Sequence, residues 1–201
     1  MKIAKEGFPY IIVLFVLAAL FLVLRFYWFG GILLGLAIFV TAFFRDPERV
    51  YRGAANHVLS PADGRVVSVR QEDGKDVVSI FLSIFNVHIN RAPLAGRLTE
   101  IKYVPGKFLI AFDERASMEN ERNSITIDHQ GKSVRFVQIA GLVARRIVCW
   151  KHEGEVVEAG ERIGLIKFGS RVDVYFPAEA KVKVKVGERV KAGESVIGEV
   201  Q

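Results

Sequence analysis

A glycine-serine pair interrupts what the flanking residues write as a β-strand, in Lys167-Phe168-Gly169-Ser170-Arg171-Val172-Asp173-Val174-Tyr175-Phe176-Pro177. Residues 163–176 are rich in β-branched and aromatic side chains and alternate from Arg171 onward, which predicts a strand. Glycine inside a strand marks a bulge or a close backbone approach. It also leaves its own carbonyl carbon unshielded, so the Ser170 hydroxyl can attack the Gly169 carbonyl and cut the chain. An ordinary bulge explains the same residues without any chemistry.

A serine hydroxyl is a weak nucleophile until a neighbouring base takes its proton. His88 is the candidate base. It lies in Phe85-Asn86-Val87-His88-Ile89-Asn90-Arg91-Ala92-Pro93, just past a predicted strand, where polar residues replace the alternation. Asp63, in Ser60-Pro61-Ala62-Asp63-Gly64-Arg65-Val66, offers a carboxylate to orient it. Asp63, His88 and Ser170 together have the logic of a nucleophile triad. A structural histidine and a plain turn aspartate remain the open alternatives. His129 and His152 stand in polar turns, and His57 precedes the Asp63 segment. No spacing of His, Asp and Glu suggests a metal site. The single cysteine, Cys149, lies in an apolar run and reads as a core residue of a protein in a reducing compartment.

The elements that must position these residues are mostly short strands, predicted at 65–70, 77–84, 96–103, 124–129, 133–139, 143–150, 163–167, 171–176 and 180–186, with Gly, Pro, Asp and Asn between them. Residues 107–120 show no clear period and read as a loop or short helix near the site. Gly154-Glu155-Val156-Val157-Glu158-Ala159-Gly160-Glu161 recurs 33 residues later as Gly187-Glu188-Arg189-Val190-Lys191-Ala192-Gly193-Glu194. This pattern resembles the hairpin turn of biotinyl/lipoyl-type carriers, and two copies suggest a pseudo-symmetric barrel or sandwich. Lys181-Val182-Lys183-Val184-Lys185-Val186 alternates strictly and predicts a half-buried strand with its lysines in solvent.

Hydrophobic residues make up 51% of the 201, and the excess sits before Arg45. Residues 8–24 and 26–44 carry no charge, and each is close to the length that spans a bilayer as a helix. Arg25 separates them, so the expectation is a helical membrane hairpin over residues 1–44 and a β domain over 45–201. Lys2 and Lys5 precede the hairpin, and Arg45, Arg49 and Arg52 follow it, which predicts both flanks in the cytoplasm at the cell membrane. The net charge of +6 suits contact with anionic headgroups. Nucleic acid is excluded as a partner, because no basic cluster is interleaved with aromatics.

Taken in order, Phe43-Phe44-Arg45-Asp46-Pro47-Glu48-Arg49, the Asp63 segment, the His88 segment and Phe168-Gly169-Ser170 resemble the phosphatidylserine decarboxylase family, in its short, membrane-anchored archaeal and bacterial (type A-like) branch. Asn120-Glu121-Arg122-Asn123 and Val143-Ala144-Arg145-Arg146-Ile147 are similar to family segments too. The resemblance implies self-cleavage at Gly169-Ser170 by Asp63, His88 and Ser170. A β chain of residues 1–169 and an α chain of 170–201 would remain associated as a heterodimer, with further homo-oligomerisation left open. Residue 170 would become a covalent pyruvoyl cofactor that forms a Schiff base with phosphatidylserine in the membrane. Carbon dioxide and phosphatidylethanolamine would be the products. Asn120 and Arg122 would border the substrate. Arg171 would meet the phosphate or carboxylate of the lipid, or else be a solvent-facing strand residue. Two positions depart from longer relatives: Phe85 replaces a second histidine, and Arg171 replaces a threonine. The rival readings are a membrane-tethered carrier module without catalysis and a serine hydrolase that leaves its own chain intact.

Overall fold

The computed structural model describes residues 2–106, 120–141, 146–167 and 170–201. They form two compact units, Met1–Glu48 and Arg49–Gln201.

In the first unit Lys2–Ile3 (β1) pairs antiparallel with Arg45–Asp46 (β2), and between them run helices α1 (Phe8–Val23) and α2 (Tyr27–Phe43). Pairing of β1 with β2 brings the two ends of this helical pair to one side. The helices are joined through Arg25, whose φ is 65°. Its N–H donates to the Leu22 carbonyl at 3.1 Å, and the Phe26 N–H donates to the Phe21 carbonyl at 2.9 Å. This is a Schellman stop in which arginine takes the left-handed position usually given to glycine. Gly30 and Gly31 lie inside α2. Gly30 is needed there because a Cβ would come within 2.6 Å of the Leu22 side chain on α1. Residues Lys5–Val23 form a helix of mean hydropathy 2.3, long and apolar enough to cross a membrane, and Tyr27–Phe43 is a shorter apolar helix.

The second unit is built almost wholly of strands. They are β3 (His57–Leu59), β4 (Gly64–Glu72), β5 (Lys75–Leu82), β6 (Ile89–Arg91), β7 (Gly96–Val104), β8 (Arg122–His129), β9 (Lys132–Ala140), β10 (Ile147–Cys149), β11 (Val156–Val157), β12 (Arg162–Ile166), β13 (Ser170–Tyr175), β14 (Lys181–Val182), β15 (Arg189–Val190) and β16 (Val196–Glu199). A curled eight-stranded sheet has the order β11-β7-β8-β9-β13-β5-β4-β15, and two three-stranded sheets have the orders β10-β12-β6 and β14-β16-β3. The protein is thus mainly β with an N-terminal helical segment.

These orders are two equivalent halves related across the β9–β13 pair. Gly154 N–H donates to Leu98 O and Gly187 N–H to Val66 O; Gly160 N–H donates to Ala92 O and Gly193 N–H to Ser60 O. Each half supplies one copy of the sequence repeat, and the turns of the two copies abut: a Cβ on Gly193 would lie 3.1 Å from the Gly160 Cα. Both glycines have positive φ, 80° and 69°, so no other residue fits this contact without strain. The core between the sheets holds Val66, Ile80, Leu98, Ile127, Phe136, Val172, Val174 and Phe176, all nearly sealed from solvent.

The alternating lysine run is strand only over Lys181–Val182. Val184 is buried but Val186 is exposed, because the chain already turns toward the positive-φ Gly187 and Glu188 N–H bonds back to Lys185 O. The predicted strand at 143–150 is described only from Ile147, and residues 107–119 lie outside the described residues.

The half-repeats make a matched pair of tests. A Cβ on Gly64 would stand 2.1 Å from the Phe81 carbonyl oxygen, and one on Gly96 would stand 2.1 Å from that of Asp128. Backbone cannot yield as a side-chain tip can, so Gly64→Ala and Gly96→Ala should each lower unfolding stability by about 2–4 kcal/mol. Gly31→Ala, where an added methyl meets nothing, should change it by less than about 1 kcal/mol. Denaturant midpoints of the detergent-solubilised protein read the difference.

Candidate active site

Ser170 is the first residue of β13, the strand between β9 and β5, and pairs with Ala140 on one side and Leu82 on the other. Side chains alternate along a strand, so Ser170 faces the core with Val172 and Val174, whereas Arg171 and Asp173 face the opposite side. The Ser170 Oγ is sealed from solvent and has no hydrogen-bond partner among the described residues. A buried hydroxyl left unsatisfied costs free energy and calls for a functional explanation. Gly169 and Phe168 lie outside the described residues.

His88 reaches the same end of the sheet by another route. The chain leaves β5 at Leu82, beside Ser170, and six residues later becomes His88, whose carbonyl accepts from Ile166 N–H at 3.4 Å. Ile166 in turn precedes Ser170 by four residues. The imidazole is buried, and its Nδ1 lies 3.0 Å from the Asn86 carbonyl oxygen. A carbonyl only accepts, so Nδ1 carries the proton and Nε2 of the neutral ring is left as the basic nitrogen.

Asp63 is placed differently from the expectation. Its carboxylate forms a forked ion pair with Arg49, at 2.5 and 2.9 Å, and also accepts the Ala192 N–H at 2.8 Å. The orienting partner shown for His88 is therefore the Asn86 backbone, and Asp63 ties the Ser60–Asp63 loop to the second repeat turn. Asn120, buried, donates from Nδ2 to the carbonyl of Ala140 at 2.7 Å and so stands one strand from Ser170. Arg122 opposes Ile139 on the far face of the sheet, where it lines a polar groove with Lys102 and Arg135. Arg171 is buried rather than solvent-facing; its Nε lies 3.0 Å from Asp173 Oδ1 and its Nη2 3.2 Å from Oδ2. Asn120 thus stands one strand from Ser170, the His88 backbone is bonded to Ile166, and Arg122 and Arg171 lie on the other face of the sheet. His57 binds Tyr51 and Glu199, His129 binds the Ala95 carbonyl, and His152 binds Glu155. Burial pushes the Cys149 thiol up, which makes it a poor nucleophile.

Two features escaped the sequence reading. Arg49 is one, although its motif was conspicuous. The other is a chain of buried amides: Asn123 Nδ2 donates to Gln138 Oε1 and Gln138 Nε2 to Asn90 Oδ1, both at 2.9 Å, and Asn90 Nδ2 donates to Pro61 O at 3.3 Å. It links the strand beside Ser170, the His88 segment and the Asp63 loop through the core. The signal was available, since Gln138 has the parity of core residues Val134 and Phe136, and Asn123 that of Ile125 and Ile127.

The profile of the phosphatidylserine decarboxylase family matches residues 36–198. A phosphatidylserine decarboxylase proenzyme of Syntrophus aciditrophicus is 46% identical over 206 residues, covering 98% of this chain and 96% of its own. Proenzymes of the same name from Magnetococcus marinus and Burkholderia multivorans are 45% and 43% identical, each covering 99% of this chain and 95% and 96% of their own. This chain belongs to the phosphatidylserine decarboxylase family. Its membership covers both units, and the family match includes β13, the His88 segment and the Asp63 loop.

The Arg49–Asp63 pair gives two tests. Arg49→Ala leaves a buried carboxylate without its partner and should cost about 3 kcal/mol or more of unfolding stability. Asp63→Asn should slow self-cleavage by loosening the Ser60–Asp63 loop, yet leave the histidine inflection of the cleavage pH profile in place. A carboxylate bonded directly to the ring would instead shift that inflection down by about one unit when removed.

Proposed function

We propose that this protein decarboxylates phosphatidylserine to phosphatidylethanolamine and carbon dioxide, after cutting itself between Gly169 and Ser170. The observation that carries the reading is a family serine sealed at the head of the central strand with its hydroxyl unpartnered among the described residues. Such a hydroxyl is poised as a nucleophile and does no work for the fold.

In self-cleavage Ser170 Oγ attacks the Gly169 carbonyl carbon, and the Gly169 acyl group passes from nitrogen to oxygen. His88 takes the hydroxyl proton on Nε2, since Nδ1–H is held by Asn86 O. Loss of the Ser170 α-proton then eliminates the Gly169 carboxylate, releasing the chain that ends at residue 169 and leaving residue 170 as dehydroalanine; water adds to its imine tautomer and ammonia leaves, which gives the pyruvoyl group. A pyruvoyl group fits the site, because its ketone needs no donor role from a position where the serine hydroxyl has none. When present it supplies an electron sink for the bond to the departing carboxylate. Leu82 and Ala140, on the flanking strands, wall residue 170 on two sides. Asn120 fixes the Ala140 carbonyl from behind, and His88 is the acid available to return a proton to the product. Arg171 and Arg122 lie on the opposite face, where Asp173 neutralises Arg171 and also meets Arg70 of β4 at 3.5 Å, which ties β13 across the sheet.

The paired N-terminal helices anchor the protein, with their apolar outer faces in lipid and both ends at the cytoplasmic surface. Side chains such as Trp28, Ile32 and Val16 face outward on them, a poor surface for water and a suitable one for acyl chains. The two repeat hairpins are of biotinyl/lipoyl type and serve here to bracket the central strands.

Ser170→Ala and His88→Ala should each leave a single 22.5 kDa band on a denaturing gel and release no carbon dioxide from carboxyl-labelled phosphatidylserine. Normal cleavage in His88→Ala would remove that residue from the scheme.

A further inference from the structure

We propose that the turn between β5 and His88 is a membrane wedge, in which Ile84 and Phe85 enter an anionic bilayer and hold the Ser170 end of the β unit against it. The proposal rests on the lipid-substrate reading above.

Ser83–Asn86 is a tight turn closed twice. Asn86 N–H donates to the Ser83 carbonyl at 2.9 Å. The Asn86 Oδ1 accepts from the Ser83 N–H at 2.9 Å and from its hydroxyl at 2.7 Å. Tips of such turns ordinarily carry Gly, Pro, Asn or Asp. Here the tip is Ile84 and Phe85, 40% and 72% exposed, on a backbone that its own hydrogen bonds prevent from folding them inward. The pseudo-symmetry supplies an internal contrast. At the related position after β8 the turn is Gln130-Gly131, wholly polar.

Location gives the tip its meaning. It begins two residues after Leu82, the partner of Ser170, and ends three before His88. Cations share this end: Lys167 N–H donates to the carbonyl of Arg146, and the Arg146 side chain is exposed. Tyr103, 53% exposed, neighbours Arg146 and Glu121. Large apolar side chains at the same end of the sheet as an exposed tyrosine and arginine suit an interface-seeking surface, apolar groups below the headgroups and cations among the phosphates. Two apolar side chains are too few for a protein interface of ordinary size, roughly 800 Å² per partner, so the bilayer is the occupant. A site that takes its substrate from the membrane gains by this: the lipid need move only a short way along its own axis to reach residue 170.

The full chain, reconstituted in vesicles of phosphatidylcholine and phosphatidylglycerol, tests the wedge directly. On a Cys149→Ala background a single cysteine at Phe85→Cys carries an environment-sensitive fluorophore, and Lys75→Cys, in the β4–β5 turn at the opposite end, carries the control. Acyl-chain nitroxide lipids should quench the label at 85 at least about threefold more than that at 75, as expected for a group below the headgroups. Equal quenching at both positions overturns the wedge. In a second arm, Phe85→Ser should lower the ratio of turnover on vesicle phosphatidylserine to turnover on a short-chain soluble analogue by about tenfold, the scale of one phenylalanine's transfer into lipid. An unchanged ratio overturns the proposal. If the unaltered protein decarboxylates neither substrate, the functional reading fails instead, and the quenching result still decides the wedge.

Discussion

Everything in the β unit depends on β13 being held between β9 and β5. Six residues, Ser170 to Tyr175, pair on both sides without a register shift. A break in the chain just before the first of them would leave that strand's own pairing intact. The strands that follow, β14 to β16, are divided in the same sense: β15 pairs with β4 and β16 with β3. A chain starting at residue 170 would therefore meet the rest of the protein through four strand pairings, made by β13, β15 and β16, and a shared core. This permits a covalent cut at the centre of a fold without unfolding it.

The same constraint explains where the polar groups sit. Buried amides are tolerated only when their hydrogen bonds are made, and Asn123, Gln138 and Asn90 make theirs to one another and to Pro61 O. The chain of bonds fixes, relative to β13, both the loop bearing Asp63 and the segment bearing His88. The Arg49–Asp63 fork does the same from the outside, joining the first residue of the β unit to the second repeat turn through Ala192. The reactive serine stands outside this chain of bonds: its buried Oγ has no hydrogen-bond partner among the described residues.

Much of this was legible in the sequence. The β-rich composition, the Gly-Glu repeat and the alternation from Arg171 onward pointed to a mainly β domain with a strand at Ser170. Four ordered segments pointed to the family. Partnerships set by tertiary distance were not legible. Asp63 has the residue type to orient a histidine, but Arg49 and the Ala192 amide claim its carboxylate, and a backbone carbonyl takes the orienting role at His88. Strand alternation left Arg171 as a contact to the lipid or a solvent-facing residue, yet it is buried and Asp173 neutralises it in place. The lysine-valine run failed as a strand because its alternation runs into a turn that needs a positive φ at Gly187.

The most direct measurement is the mass of the purified, catalytically active protein under denaturing conditions. The account predicts two species, one ending at Gly169 and one spanning residues 170–201, the smaller resistant to Edman chemistry and carrying a carbonyl in place of its N-terminal amine. A single intact species of 22.5 kDa in a preparation that decarboxylates phosphatidylserine would contradict it.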